Sequence, residues 1–188
     1  MRRKRIYLAG PDVFLPDALE QAGRKQRICA EHGLEGISPL DSAEDAPGWA
    51  GFPEWRRIAL RNEAHITRAD AVIADLTPFR GPSADAGTIY EVGFARALGR
   101  PVFAYSNVAA GLTPRTLGFL GATAHADGTA WRDAETMLVE DFGCHDNLMI
   151  DAGIIGSGGL LLVADLAEPR RDLTLFARCV IALAAALG

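Results

Sequence analysis

The segment DAVIADLTPFRGPSADAGTIYEVGFARALGRP, Asp70 to Pro101, sets the rhythm of the fold. An apolar run, Ala71 to Leu76, ends in a Pro/Gly loop from Thr77 to Pro82. A helical segment with almost no charge follows, Ala86 to Leu98, and a second apolar run starts at Pro101. Strand, loop, helix, strand is the order of a parallel α/β sheet, whose ligand sites lie beyond the carboxyl ends of the strands. Between Gly87 and Leu98 the only charged residues are Glu91 and Arg96. Five positions apart, they do not share a helix face as an i,i+4 pair would. Glu91 thus stands near a helix start, among Ile89, Tyr90, Val92 and Phe94, with no local partner. A solvated face is hard to draw there, so Glu91 is the candidate catalytic carboxylate.

The pattern extends in both directions from this unit. Lys4 to Ala9 reads as a first strand, closed by Gly10-Pro11. Asp17 to His32 reads as a helix stopped by Gly33, and Leu34 to Ser38 as a short second strand. Asp41 to Pro53, rich in Gly and Pro, reads as a loop suited to act as a lid. Glu54 to Ala69 is a helix with Trp55, Ile58, Ala59, Ile66 and Ala69 on one stripe. Pro101 to Tyr105 is the fourth strand. Beyond Asn107 the periodicity fades; Trp131 to Asp141 fits a helix, Leu160 to Ala164 a final strand and Asp172 to Leu187 a closing helix. The expected fold is one domain over residues 1–188: a doubly wound, flavodoxin-like parallel sheet of about five strands with helices on both faces.

The chain has 188 residues and a formal net charge of −5, which argues against a nucleic-acid-binding surface. Arg2, Arg3, Lys4 and Arg5 could meet a phosphate or a membrane, but a solvated lead-in to the first strand explains them more simply. Pro11, Asp12 and Pro16 break the apolar stretch that a signal peptide would need. Leu173 to Leu187 contains Arg178 and is too short to span a bilayer. Three widely separated cysteines without C-x-x-C spacing fit free thiols in a reducing cytoplasm. His32, His65, His125 and His145 lack ligand spacing, so no metal is expected. There is no Walker A loop and no G-x-G-x-x-G, which disfavours a dinucleotide or NTP enzyme.

The element D-x-G-T-x-x-E-x-G, formed by Asp85, Gly87, Thr88, Glu91 and Gly93, is not assigned by those patterns. It resembles the active-site helix of the nucleoside 2-deoxyribosyltransferases. IYLAGPDVF (Ile6 to Phe14), DAVIADLTPFRG (Asp70 to Gly81) and DNLMID (Asp146 to Asp151) fit the same family, in order, over about three quarters of the chain. The resemblance implies that Glu91 is the nucleophile of a glycosyl-enzyme intermediate and that the Tyr7 hydroxyl orients it. It implies that Asp85 hydrogen-bonds the sugar, that Gly10 and Phe14 line the base pocket, and that Asn147 reaches a neighbouring subunit's site, hence an obligate homo-oligomer.

Each residue also has a plainer explanation. A helix amino terminus would favour ionised Glu91, as a nucleophile needs. Asp85 is a natural N-cap. Gly87 and Gly93 fit close approach to sugar and strand, or simple packing. Asn62 shares the apolar stripe of its helix and needs a partner, either backbone or nucleobase. The family commonly has an Asp there; an amide donates a hydrogen bond but supplies no proton. Tyr7 and Phe14 fit the core, and Asn147 fits a helix cap.

The expected function is transfer of 2-deoxyribose between nucleobases in cytoplasmic nucleotide salvage, without a cofactor. The partners are a 2′-deoxynucleoside and a free base. The nearest rival is a 2′-deoxynucleoside 5′-monophosphate N-glycosidase with a phosphate site near Arg80 to Ser83. G-T-x-x-E also resembles the cytokinin-activating phosphoribohydrolases, but their P-G-G is here Ser83-Ala84-Asp85. A non-catalytic nucleotide-binding module is the third reading.

Overall fold

The computed structural model describes residues 2–42 and 45–188. Its main sheet is built from β1 (Arg5–Ala9), β2 (Glu35–Ile37), β3 (Ala71–Asp75), β4 (Val102–Ser106) and β7 (Leu161–Val163). All neighbours are parallel and the order is β2-β1-β3-β4-β7, the flavodoxin-like arrangement. Strands covered on both faces are apolar throughout rather than alternating. Ile6, Leu8, Ile73 and Phe103 face Cys29 of α1 (Ala18–Glu31) and Phe176 and Cys179 of α6 (Thr174–Leu187). The alternate residues Tyr7, Ala9, Val72 and Ala74 face the other layer. There they meet Ile66 of α2 (Glu54–Arg68), Val92 and Ala95 of α3 (Ala86–Ala97), and Ile150 and Ile154 of α5 (Leu148–Gly156). Each fully buried Ile or Val in these layers contributes about 1.5–3 kcal/mol.

Two glycines let backbones meet. A Cβ on Gly10 would lie 2.9 Å from the Asp75 Cβ, so the turn after β1 packs on the end of β3 only without a side chain. A Cβ on Gly159 would overlap the Val102 carbonyl, and its absence lets β7 approach β4. Beyond the Gly10 turn, Asp12 forms an ion pair of 2.5 Å with Lys25 of α1, both nearly buried, which ties the 3-10 turn Pro11–Phe14 to the domain.

The expected helix at Trp131 to Asp141 does not form. An antiparallel hairpin, β5 (His125–Asp127) and β6 (Ala130–Arg132), takes its first part. Asp133 then accepts from the amides of Glu135 and Met137, both at 2.9 Å, a side-chain-stabilised turn that competes with a helix. Two helices have weak amphipathic patterns and were not expected, α4 (Leu112–Leu120) and α5. α5 is apolar nearly all round, yet only Ile150, Gly153 and Ile154 are buried, on the side toward α3 and the sheet, while Met149 and Ile155 stay exposed. The stripe on α2 is buried only at its carboxyl end: Ile66 is inaccessible, while Trp55 is 72% and Ile58 46% exposed. Arg2 and Arg5 pair with Asp70 and Glu35 at the strand edge, in keeping with a solvated lead-in. No helix among the described residues is long and apolar enough to cross a membrane.

Candidate active site

α2 and α3 cover the same sheet face, and Glu91 reaches between them toward β1. Its Oε1 accepts from Tyr7 Oη at 2.6 Å and from Asn62 Nδ2 at 3.2 Å. Three distant segments thus converge on one carboxylate oxygen. Oε2 accepts from no described residue. Tyr7 is inaccessible, and burial together with the Glu91 charge pushes its phenol far above the ordinary range, so it stays a donor. Burial likewise raises Glu91, to about 7, with a further upward push from Asp85 and downward pulls from the Tyr7 and Asn62 hydrogen bonds. The expectation that the helix amino terminus governs Glu91 is corrected here. Glu91 is the sixth residue of α3, past the first turn where the dipole acts, and desolvation dominates.

Asp85 is the N-cap of α3: its Oδ2 accepts from the Thr88 amide at 2.9 Å and the Thr88 hydroxyl at 3.1 Å. The cap does not use Oδ1, which accepts from no described residue. Gly87 follows, where a Cβ would stand 3.1 Å from Asp85 Oδ2. A Cβ on Gly93 would meet nothing within 4 Å, so close approach to a strand is not its reason; it faces the groove between α3 and α5.

A cavity of about 240 Å³ opens beside Glu91, walled by Trp55, Ile58 and Ala59 of α2 and by Gly87 and Tyr90 of α3. Asn62, Glu63 and Ile66 complete it, and Tyr90 Oη donates to Glu63. The Asn62 Oδ1 is buried there with no partner, an acceptor awaiting a donor. Gly10 and Phe14 do not line this cavity. Phe14 stacks on Phe79 with ring centroids 5.3 Å apart, and the Arg80 guanidinium lies 5.2 Å from the Phe14 ring. The expected lid also stands apart: Asp45 pairs with Arg57 and Arg61 of α2, and the loop lines a separate cavity with His65 and Arg68. Ala43 and Glu44, in the middle of that loop, lie outside the described residues.

Asn147 caps α5, its Oδ1 accepting from the Met149 amide at 3.0 Å while its Nδ2 donates to Glu140 at 2.6 Å. Both ends of the side chain are therefore engaged within its own chain. Sequence reasoning passed over its neighbour Asp146, which is fully buried and hydrogen-bonded to Ser83 and Ala84 just before Asp85. The only signal for it was its place in DNLMID. Among the described residues no group of three or more His, Cys, Asp or Glu side chains is placed to hold a metal ion.

A buried carboxylate held by a phenol and an amide stands in a half-apolar cleft of a flavodoxin-like sheet. The chain belongs to the nucleoside 2-deoxyribosyltransferase family, whose model matches residues 6–149. It is 33% identical over 177 residues to the uncharacterized protein C191.05c of Schizosaccharomyces pombe, covering 84% of this chain and 80% of that one. A 2-deoxyribosyltransferase from Leishmania mexicana superimposes with a TM-score of 0.61 at 28% identity, covering 95% of this chain and 97% of that one. The CMP N-glycosidase BcmB of Clostridium botulinum shares the fold, with a TM-score of 0.50 and 13% identity over 96% and 99% of the two chains. The family is one of enzymes, described as 2-deoxyribosyltransferases of nucleosides.

Proposed function

We propose that the protein is a nucleoside 2-deoxyribosyltransferase working by double displacement. The observation that carries this reading is the Tyr7–Glu91–Asn62 contact, which holds one carboxylate oxygen and leaves the other free. Glu91 Oε2 attacks the anomeric carbon of a 2′-deoxynucleoside, forming an ester as the bond to the base nitrogen breaks. Tyr7 orients the nucleophile. Asp85 binds the sugar through its free Oδ1. Asn62 hydrogen-bonds the departing base through its unpartnered Oδ1; it has no proton to transfer, so the base takes its proton from water or departs as the anion. A second base then attacks the deoxyribosyl ester, releasing Glu91 and restoring the original configuration.

The site is shared in a homo-oligomer on this reading. Supporting it, the walls of α2 and α3 leave Trp55 at 72% and Tyr90 at 57% exposed. A second subunit covering this apolar rim would exclude the water that competes with the acceptor base. Gly10 and Phe14 would then meet the base only after local rearrangement, and Asn147 would have to release Glu140 to reach a neighbouring sugar.

Incubation with deoxyadenosine and cytosine tests the proposal. Deoxycytidine as product supports transfer, adenine and free deoxyribose alone mean an N-glycoside hydrolase, and no turnover of deoxyadenosine or, in a parallel incubation, of its 5′-monophosphate means a binding module.

A further inference from the structure

The loop that delivers Asp85 to the site is held by a carboxylate on another element. Asp146 precedes α5 and is 0% exposed. Its Oδ1 accepts from Ser83 Oγ at 2.5 Å and from the Asn147 amide at 2.8 Å. Its Oδ2 accepts from the Ala84 amide at 2.9 Å and lies 3.5 Å from Arg115 Nη2. Every group around it is a donor, so the position calls for a side chain that only accepts. An asparagine would turn an amide NH2 toward one of those donors. The carboxylate is itself fixed: Arg115 donates to the carbonyls of His145 at 2.6 Å and Ala110 at 3.0 Å. Asp151 meanwhile accepts from the amides of His145 at 2.7 Å and Asp146 at 3.1 Å. On the other side, Phe79 N donates to the Ser83 carbonyl at 3.0 Å and closes the loop.

We infer that Asp146 is a positioning residue for the glycosyl reaction: by gripping Ser83 and Ala84, it aims the free Oδ1 of Asp85 at the sugar beside Glu91. The inference rests on the proposed reading that a sugar lies there. A carboxylate needed only for folding would lower stability without acting through Asp85.

The test is a double-mutant cycle in the full chain, with melting temperatures recorded for every variant. Asp146→Asn should lower kcat/KM for a 2′-deoxynucleoside on the order of a hundredfold, the cost of a small misplacement in a reactive site. In an Asp85→Ala background the same change should cost no more than about threefold, because the residue it acts through is gone. Losses that multiply in the two backgrounds would overturn the inference. If Asp146→Asn does not fold, Ser83→Ala removes one of the same hydrogen bonds; its smaller loss should likewise vanish in Asp85→Ala, and multiplication would again overturn it. If the protein has no turnover, the proposed function fails and with it the catalytic part of the inference, and carboxyl NMR titration of Glu91 decides whether Asp146 positions Asp85 beside Glu91. Tyr7, Asn62 and Asp85 are the groups facing Glu91, so loosening Asp85 should lower its midpoint. Asp146→Asn should produce that fall in the parent and not in Asp85→Ala; an unchanged midpoint in the parent would sink the idea.

Discussion

Replacing Glu91 with Gln should stabilise the fold at alkaline pH and have little effect on it in acid. Glu91 is raised from an ordinary 4.5 to about 7, first by burial. The folded protein therefore holds this proton more tightly than the unfolded chain between those values. Stability is greatest below about pH 4.5, declines as pH rises, and carries the full penalty above about pH 7. The shift corresponds to a ceiling of about 3 kcal/mol for keeping the charge in the fold. Gln keeps the acceptor for Tyr7 and removes the charge. At about 2–4 °C per kcal/mol for a chain of this size, the gain in Tm has a ceiling of about 6–12 °C at pH 8.5. Thermal denaturation of both proteins from pH 4.5 to 8.5 measures it, and the difference cancels titrations common to the two. A Tm difference that does not change with pH would refute the reasoning, because a charge penalty must disappear when the charge does.

Glu91→Ala should lower turnover by several orders of magnitude with the fold intact, read from steady-state rates and circular dichroism; activity within about tenfold of the parent would remove Glu91 from the nucleophile's role. Activity should rise with pH to a plateau above about 7 as Glu91 ionises, and Tyr7→Phe, which removes a hydrogen bond that lowers Glu91, should move that limb to higher pH. Deoxyinosine should be favoured over inosine, since the apolar walls of the cleft offer a 2′-hydroxyl few partners; equal kcat/KM values would contradict this. Asn147→Ala mixed with Glu91→Ala subunits should regain part of the activity if sites are shared, and no recovery in verified mixed oligomers would confine Asn147 to the cap seen in its own chain.

The layered α/β architecture is legible in the residues alone, because buried parallel strands must be apolar throughout and their crossovers must be broken by Gly, Pro and caps. Ala71 to Asp75, Asp85 and the helix after it are legible for that reason, and so is the isolation of Glu91 on an uncharged helix. The same local logic failed from Asn107 to Ala130 and over Trp131 to Asp141. There α4 has no buried residue to mark an apolar face, and beyond it a side-chain turn at Asp133 stands in place of a helical or strand period. Which groups surround Glu91 emerges only when the layers assemble. Tyr7 and Asn62 lie 84 and 29 residues away from it in the chain, and no spacing rule connects them. Burial, a property of the assembled layers, also decided its proton affinity against the dipole argument drawn from its place in the helix. Asp146 became visible for the same reason: its partners Ser83 and Ala84 lie on another crossover, and only folding brings a donor-lined pocket around a carboxylate.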